Sequence, residues 1–454
     1  NITAENVSGG YDGIQAYNKY SGVLAITTSG TVTGSTGGGI HAHNMGGPIN
    51  ITVGAGSLAQ GCGAGIYAYA GSYPLGSGKP ITITVNGQVR NISGSPTDYA
   101  IIADGGPVSV NLNAGSITTG VISLGRFGDA INLAGTLNGS ARMGAGDDLF
   151  LRYSGSVFTG IADGGSGTDT LGFGGVGKVD GSNYINFENL AIYGGLNNLI
   201  GAWNFPGGSG IVYNGTLLVN GTLATPLVTV LQDGLLGGSG TVYGDVKAYG
   251  ALSAGNSIGT FKVDGSLDFM SGSTYEVELA ANGQSDRLET TGPVSLSDST
   301  LSVSLRRELY RDGTSWRLLS AGGGIDGRFS SIRTNFSSST LSLSPYYAGG
   351  GMGMVIHRKP YRYFGNTPNE QEMADALNTL LAEASGSMAN LLVSMDLVMN
   401  PAQISATLNG LSPEHYSSFA PSAIGVINTF SDIASFRQQE TRYQLDNPTD
   451  EPRW

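Results

Sequence analysis

Short runs of alternating apolar and polar residues, closed by glycine, recur along this 454-residue chain. Gly13-Ile14-Gln15-Ala16-Tyr17 returns as Gly39-Ile40-His41-Ala42-His43 and as Gly65-Ile66-Tyr67-Ala68-Tyr69, so the spacing between copies stays constant over three turns. On the same offset Val23 and Val32 map onto Ile49 and Leu58. Further strand-like segments start at Ile49, Ile81, Val108 and Ile131, with gaps that shorten along the chain. A repeat of this size, built from alternation and glycine turns, predicts a β-solenoid in a mainly β protein. Alternation puts Ile81, Ile83 and Val85 on the inner face and Thr82 and Thr84 on the outer one. Coils stack at about 4.8 Å, so roughly ten of them give a rod about 50 Å long.

The pattern then changes along the chain. Gly71–Pro80 reads as a loop bulging from one edge, because glycine, proline and serine dominate it. Through 130–270 the period blurs, although short glycine-punctuated strands persist, as in Leu217–Leu223 and Gly240–Val246. From about 275 the strands lengthen and carry charge (Tyr275–Leu279, Leu301–Leu305, Trp316–Leu319), which predicts a compact antiparallel unit of sandwich type. A polar connector at 361–368 follows. Beyond it, apolar residues fall at helical spacing: Met373, Leu377, Leu380, Leu381 and Ala384, then Met388, Leu391, Leu392 and Met395. Pro401 and Pro413 divide later helices, Ser412-Pro413-Glu414 is a helix start, and Ile424, Ile427, Ile433 and Phe436 continue the stripe. The organisation expected is a solenoid over 1–274, a β-sandwich-like cap over 275–360, the connector, a helical region over 369–440 and a flexible tail over 441–454.

Composition sharpens this. Glycine accounts for 74 residues without every-third spacing, which excludes collagen. A net charge of −12 argues against a nucleic-acid partner. The single cysteine, Cys62, rules out an internal disulfide and suits an exported chain that crosses a membrane unfolded. No run approaches the roughly 18 apolar residues of a membrane-spanning helix. The chain opens inside a β-like repeat, Asn1-Ile2-Thr3, and reads as a fragment.

Gly237–Val242, Leu252–Phe261 (with Ser253-Ala254-Gly255-Asn256-Ser257-Ile258 inside it) and Gln284–Leu288 resemble the C-terminal passenger region of type V autotransporters of Gram-negative bacteria. Arg328-Phe329-Ser330-Ser331 with Asn335-Phe336 resembles the segment before the barrel in that family, and Asn369-Glu370 with the helices up to Arg437 resembles its linker. The motif detail covers 236–440. The resemblance implies a right-handed parallel β-helix, a C-terminal autochaperone segment, and export to the cell surface or medium. It also implies an outer-membrane β-barrel translocator, which this sequence lacks. Templating has a physical basis, since a solenoid propagates from any formed coil. The partners implied are host matrix, a cell-surface or glycan ligand, or sibling copies, with no cofactor and no nucleic acid.

Candidate chemistry is sparse. Gly164–Leu171 matches the Gly-Gly-x-Gly-x-Asp calcium nonapeptide, and Gly144–Asp148 is a partial second copy. Asp147, Asp148 and Asp169 are therefore calcium candidates, the alternative being glycine turns between coils. Paired acids for polysaccharide chemistry are limited to Asp147-Asp148 and Asp163/Asp169 in the rod. None of His41, His43, His357 and His415 lies in a serine-protease signature or a nucleophile elbow. The expectation is that this fragment is not an enzyme, with a protease or esterase domain upstream left open. His41 and His43 share one strand face but lack a third ligand. In the repeat, Gln15, His41 and Tyr67 form one outward column and Tyr17, His43 and Tyr69 another. These columns either stack internally or present a strip that binds sugar or protein. The functional expectation is an adhesin, with a stalk for another domain or a β-helix enzyme as alternatives.

Overall fold

The computed structural model describes residues 1–71, 78–255, 257–412, 429–430 and 432–439. The expectations for Ser72–Ser77, Pro413, Glu414, Ile424, Ile427 and the tail from 441 lie outside the described residues.

The chain winds as a parallel β-solenoid of about 13 turns. Its first coils have three faces. One carries Ile2–Ala4, Leu24–Thr28, Ile49–Val53 and Ile81–Val85; the second carries Val7–Gly9, Thr31–Gly34, Leu58–Gly61 and Gln88–Asn91; the third carries Ile14–Asn18, Gly38–Asn44, Ala64–Ala70 and Tyr99–Asp104. All pair in parallel with the coil above and below. Period-2 alternation explains the core: Ile81, Ile83 and Val85 are fully buried, stacked on Ile49, Ile51 and Val53.

The constant offset holds only on the third face, where Ile14, Ile40 and Ile66 are register partners. On the first face Leu24, not Val23, pairs with Ile49, and on the second Val32 pairs with Ala59, not Leu58. Burial shows the consequence: Val23 is 51% exposed while Leu24 is buried. A one-residue slip reverses every side chain in a strand, so a uniform offset misplaces two faces of three.

Nor does the period dissolve after residue 130; it shortens. Val110 pairs with Ile131, Ile131 with Phe150, Phe150 with Leu171 and Leu171 with Leu190. Leu190 then pairs with Gly210, Gly210 with Val228 and Val228 with Val246. Each of these steps is shorter than the step from Ile14 to Ile40, and tight glycine corners make the shorter coils possible.

The expected sandwich from 275 is replaced by more solenoid. Thr274–Leu279 pairs in parallel with Thr300–Leu305, which pairs in parallel with Ser331–Thr334. Among the described residues, Gly238/Gly255 and Leu279/Ser285 form isolated antiparallel bridges, and antiparallel pairing between strands comes at the end, where the hairpin Leu341–Ala348/Gly351–Arg358 docks on Ser315–Ala321. It covers strand edge that would otherwise invite another chain. Charged residues such as Glu276 and Glu278 fall at outward positions of the alternation, which is why charge there did not signal a new fold.

Among the described residues the helices α1 (Pro368–Leu380), α2 (Gly386–Leu397) and α3 (Pro401–Leu411) follow, and 432–439 are helical too. Thr367 caps α1 by accepting from Glu370 N–H, and Asn400 with Gln403 forms a capping box on α3. Helices α1, α2 and α3 share a core of Leu377, Leu392, Met395, Ile404 and Leu408, with Met373, Met388 and Met399 packed around it. The methionine stripe is thus largely internal packing. The connector is no tether either. Tyr361 is fully buried, and its hydroxyl donates to Asp396 at 2.7 Å. Asp396 also pairs with buried Arg358 at the end of the hairpin, fixing the helices to the solenoid.

Candidate functional site

The two outward columns assemble on the third face. Gln15, His41 and Tyr67 stand in register, as do Tyr17, His43 and Tyr69. Their rings do not lie flat on one another. Tyr17 meets His43 edge-on at 4.8 Å, His43 meets Tyr69 edge-on at 5.5 Å, and His41 meets Tyr67 edge-on at 4.8 Å. Edge-to-face pairing suits the aromatic quadrupole. Exposure falls steeply along the second column, from 52% at Tyr17 to 4% at Tyr69. Tyr69 is therefore covered although it keeps the outward register, and an open strip would run only from Gln15 and Tyr17 through the half-buried His41, His43 and Tyr67.

Polar contacts lock these rings. Tyr17 Oη donates to Met45 Sδ at 2.7 Å, and His43 Nε2 meets the Gly71 carbonyl at 2.6 Å. His41 Nδ1 lies 3.1 Å from Asp12 Oδ2, while Asp12 Oδ1 accepts the Gly38 N–H at 2.6 Å. Asp12 has no acidic counterpart in the repeat, since Gly38 and Ala64 occupy its place, so nothing in the period pointed to it. An Asp that orients a His through Nδ1 is half of a proton-relay arrangement. Among the described residues no serine hydroxyl is hydrogen-bonded to His41.

The calcium candidates sit at one corner of successive coils. Ala145 bridges Ser166, and Asp147 Oδ1 accepts the Thr168 N–H at 2.9 Å. Asp147 is exposed; Asp148 and Asp169 are buried. Asp148 and Asp169 stand one coil apart with Asp147 beside Asp148, and no group of three or more His, Cys, Asp or Glu among the described residues converges on one point. Asp129 and Glu188, not singled out from the sequence, complete the row. Their signal was legible in hindsight: Asp129-Ala-Ile, Asp148-Leu-Phe, Asp169-Thr-Leu and Glu188-Asn-Leu recur just ahead of a strand.

In the C-terminal motif region, Asp286 is buried and accepts from Gly259 N–H at 3.0 Å and Glu278 N–H at 2.8 Å. Burial pushes its carboxyl up to about 7. Arg306 bridges Ser257 Oγ at 2.6 Å and Glu278 at 2.9 Å. The motif residues thus clasp three neighbouring segments together.

No family model matches the chain. It is similar to extracellular serine proteases. One, from Serratia marcescens, is 32% identical over 184 residues, which is 38% of this chain and 17% of that protein. A second from Serratia marcescens is 30% identical over 189 residues, again 38% of this chain and 17% of that protein. The match spans about a sixth of the length of these relatives. The similarity and the β-solenoid fit an autotransporter passenger, and extracellular relatives support a secreted or surface location. The expectation of no enzyme is corrected here: both relatives are named extracellular serine proteases, so the similarity points toward an enzyme rather than away from one.

Proposed function

We propose that this chain is a segment of an autotransporter passenger, displayed on or released from a Gram-negative cell, whose rod binds host matrix, cells, glycans or sibling bacteria. The observation that carries this reading is the unbroken parallel stack, which sets side chains from successive coils into long outward columns. The clasped coils around Asp286 and the terminal hairpin are proposed to template folding, since they form a firm end from which coils can propagate. Its own outer-membrane β-barrel is the translocating partner in this reading.

A second reading is favoured by the relatives' names: the rod is part of a secreted protease acting on protein. One experiment separates the two. The purified chain is tested for saturable binding to matrix proteins, glycans and intact cells, and for cleavage of unfolded protein. A variant carrying Gln15→Ala, Tyr17→Ala and Tyr67→Ala runs beside it, and Tyr69 is left in place. Binding lost in the variant, without cleavage, supports the adhesive reading. Cleavage without binding sinks it in favour of the protease.

A further inference from the structure

Asp129, Asp148, Asp169 and Glu188 occupy the same corner of four successive coils, each one residue ahead of a strand. Each passes one carboxylate oxygen to a backbone N–H one coil earlier. Asp129 accepts from Val108 at 2.7 Å, Asp148 from Asp129 at 2.6 Å, Asp169 from Asp148 at 2.8 Å, and Glu188 from Asp169 at 2.8 Å. The other oxygen of each aspartate is sealed from solvent and has no hydrogen-bond partner. The three residues are only 3%, 2% and 0% exposed. Over Asp169 the cover is the backbone of Gly164, where a Cβ would come within 2.8 Å of Oδ2.

An ionised carboxylate in such a place is costly, because its second oxygen is cut off from solvent and lacks a hydrogen-bond partner. At Asp129 the Gly125 backbone N–H also favours the charge, and burial outweighs it. Neighbouring coils repeat the charge about 4.8 Å away. The charged groups that act on the three aspartates are acids, which add to the repulsion. Asp148 and Asp104 face Asp129; Asp169 and Asp147 face Asp148; Glu188, Asp147 and Asp163 face Asp169. Arg126, on the same corner as Asp129, is exposed to solvent. The carboxylates follow the rod axis one coil apart, and among the described residues no three acidic, His or Cys side chains converge on one point. A proton on each buried oxygen removes the charge and needs no extra space.

We propose that this corner ladder is a proton-binding device that strengthens the middle of the rod in acid and loosens it as the medium turns neutral. Each step is the uptake of one solvent proton by one aspartate oxygen. Burial, the largest cause in each case, raises Asp129 to about 7 and Asp148 to about 6, and it raises Asp169 in the same direction. The folded chain therefore holds protons that the unfolded chain releases above its ordinary carboxylate range. The stabilisation is fully present below about pH 4 and is lost as the pH rises through 6 to 7.

The test is the equilibrium unfolding midpoint in denaturant, approached from both directions, between pH 4 and 8. The parent is compared with Asp129→Asn/Asp148→Asn/Asp169→Asn. Asparagine keeps the oxygen that accepts the N–H and supplies a neutral NH₂ where the acid has its O–H. The parent's folding constant is expected to fall at least about 100-fold from pH 5 to 8. The triple variant should lose most of that slope and exceed the parent at pH 8. A parent midpoint that is flat or rises with pH overturns the proposal, as does a variant that keeps the parent's slope. Asp286→Asn is the control, since Asp286 is raised by the same cause in a different place. Should the triple variant fail to fold, infrared spectra of Asp286→Asn/Glu276→Gln at pH 5.5 decide the matter, since burial raises both of those carboxyls too. A carbonyl band of protonated acid in the folded state upholds the ladder, and its absence overturns it.

Discussion

Tyr17 and Tyr69 end one column, yet they bear on stability very differently. Tyr69 is 4% exposed and packs against His43, whose second contact is the Gly71 carbonyl. Tyr17 is half exposed and leans on His43 from the open side. Tyr69→Ala removes a covered aromatic side chain and its contact with His43 and should cost about 3 kcal/mol, read as a lower denaturant midpoint. Tyr17→Ala loses one edge-to-face contact and should cost about 1 kcal/mol or less. Equal losses would mean that the column is uniformly exposed, against its burial gradient. The gradient also decides which residues serve as a binding probe, because truncating Tyr69 would confound binding with unfolding. Asn44 adds another fixed point beside these rings. Fully buried, it donates to the Gly22 and Pro48 carbonyls at 2.9 Å each and accepts from Asn18 at 3.1 Å.

At the level of the coil, glycine corners set how short a turn can be. Gly146 and Gly167 stand at equivalent corners with φ of 133° and 146°. A Cβ on Gly167 would lie 1.8 Å from the Gly146 carbonyl oxygen. Gly167→Ala should therefore cost at least about 3 kcal/mol, combining a left-handed backbone with a clash between coils. Gly155, at φ 79°, has open space around it, and Gly155→Ala should cost only about 1 kcal/mol. Comparable midpoints for the two variants would refute the close stacking. These corners explain what the sequence revealed and concealed. The Ile14/Ile40/Ile66 column was legible because three coils have equal length on that face. The middle coils were not, because they are shorter and their length varies from turn to turn, so no single offset aligns them. The acid row was half legible. Asp148 and Asp169 drew notice through their glycines, whereas Asp129 follows Gly125-Arg-Phe-Gly and Glu188 follows Asn186-Phe187, where the turn chemistry differs. Asp12 was invisible because it acts across coils rather than along the repeat.

Across the whole molecule, one hydrophobic cluster runs from Ile14 to Ile356, and a second joins Tyr361 to the helices. Arg358 and Asp396 tie the two, buried at 5% and 0% side-chain exposure. A rod closed by a hairpin and fixed to a helical end suits a chain that emerges unfolded and consolidates outside the cell. We propose that this chain is such a passenger. The most direct measurement joins it to a Gram-negative outer-membrane translocator barrel and adds protease to intact cells. The account predicts that the chain appears outside as a protease-resistant core spanning the solenoid. Retention inside the cell, or arrival outside in a form digested throughout, would contradict it.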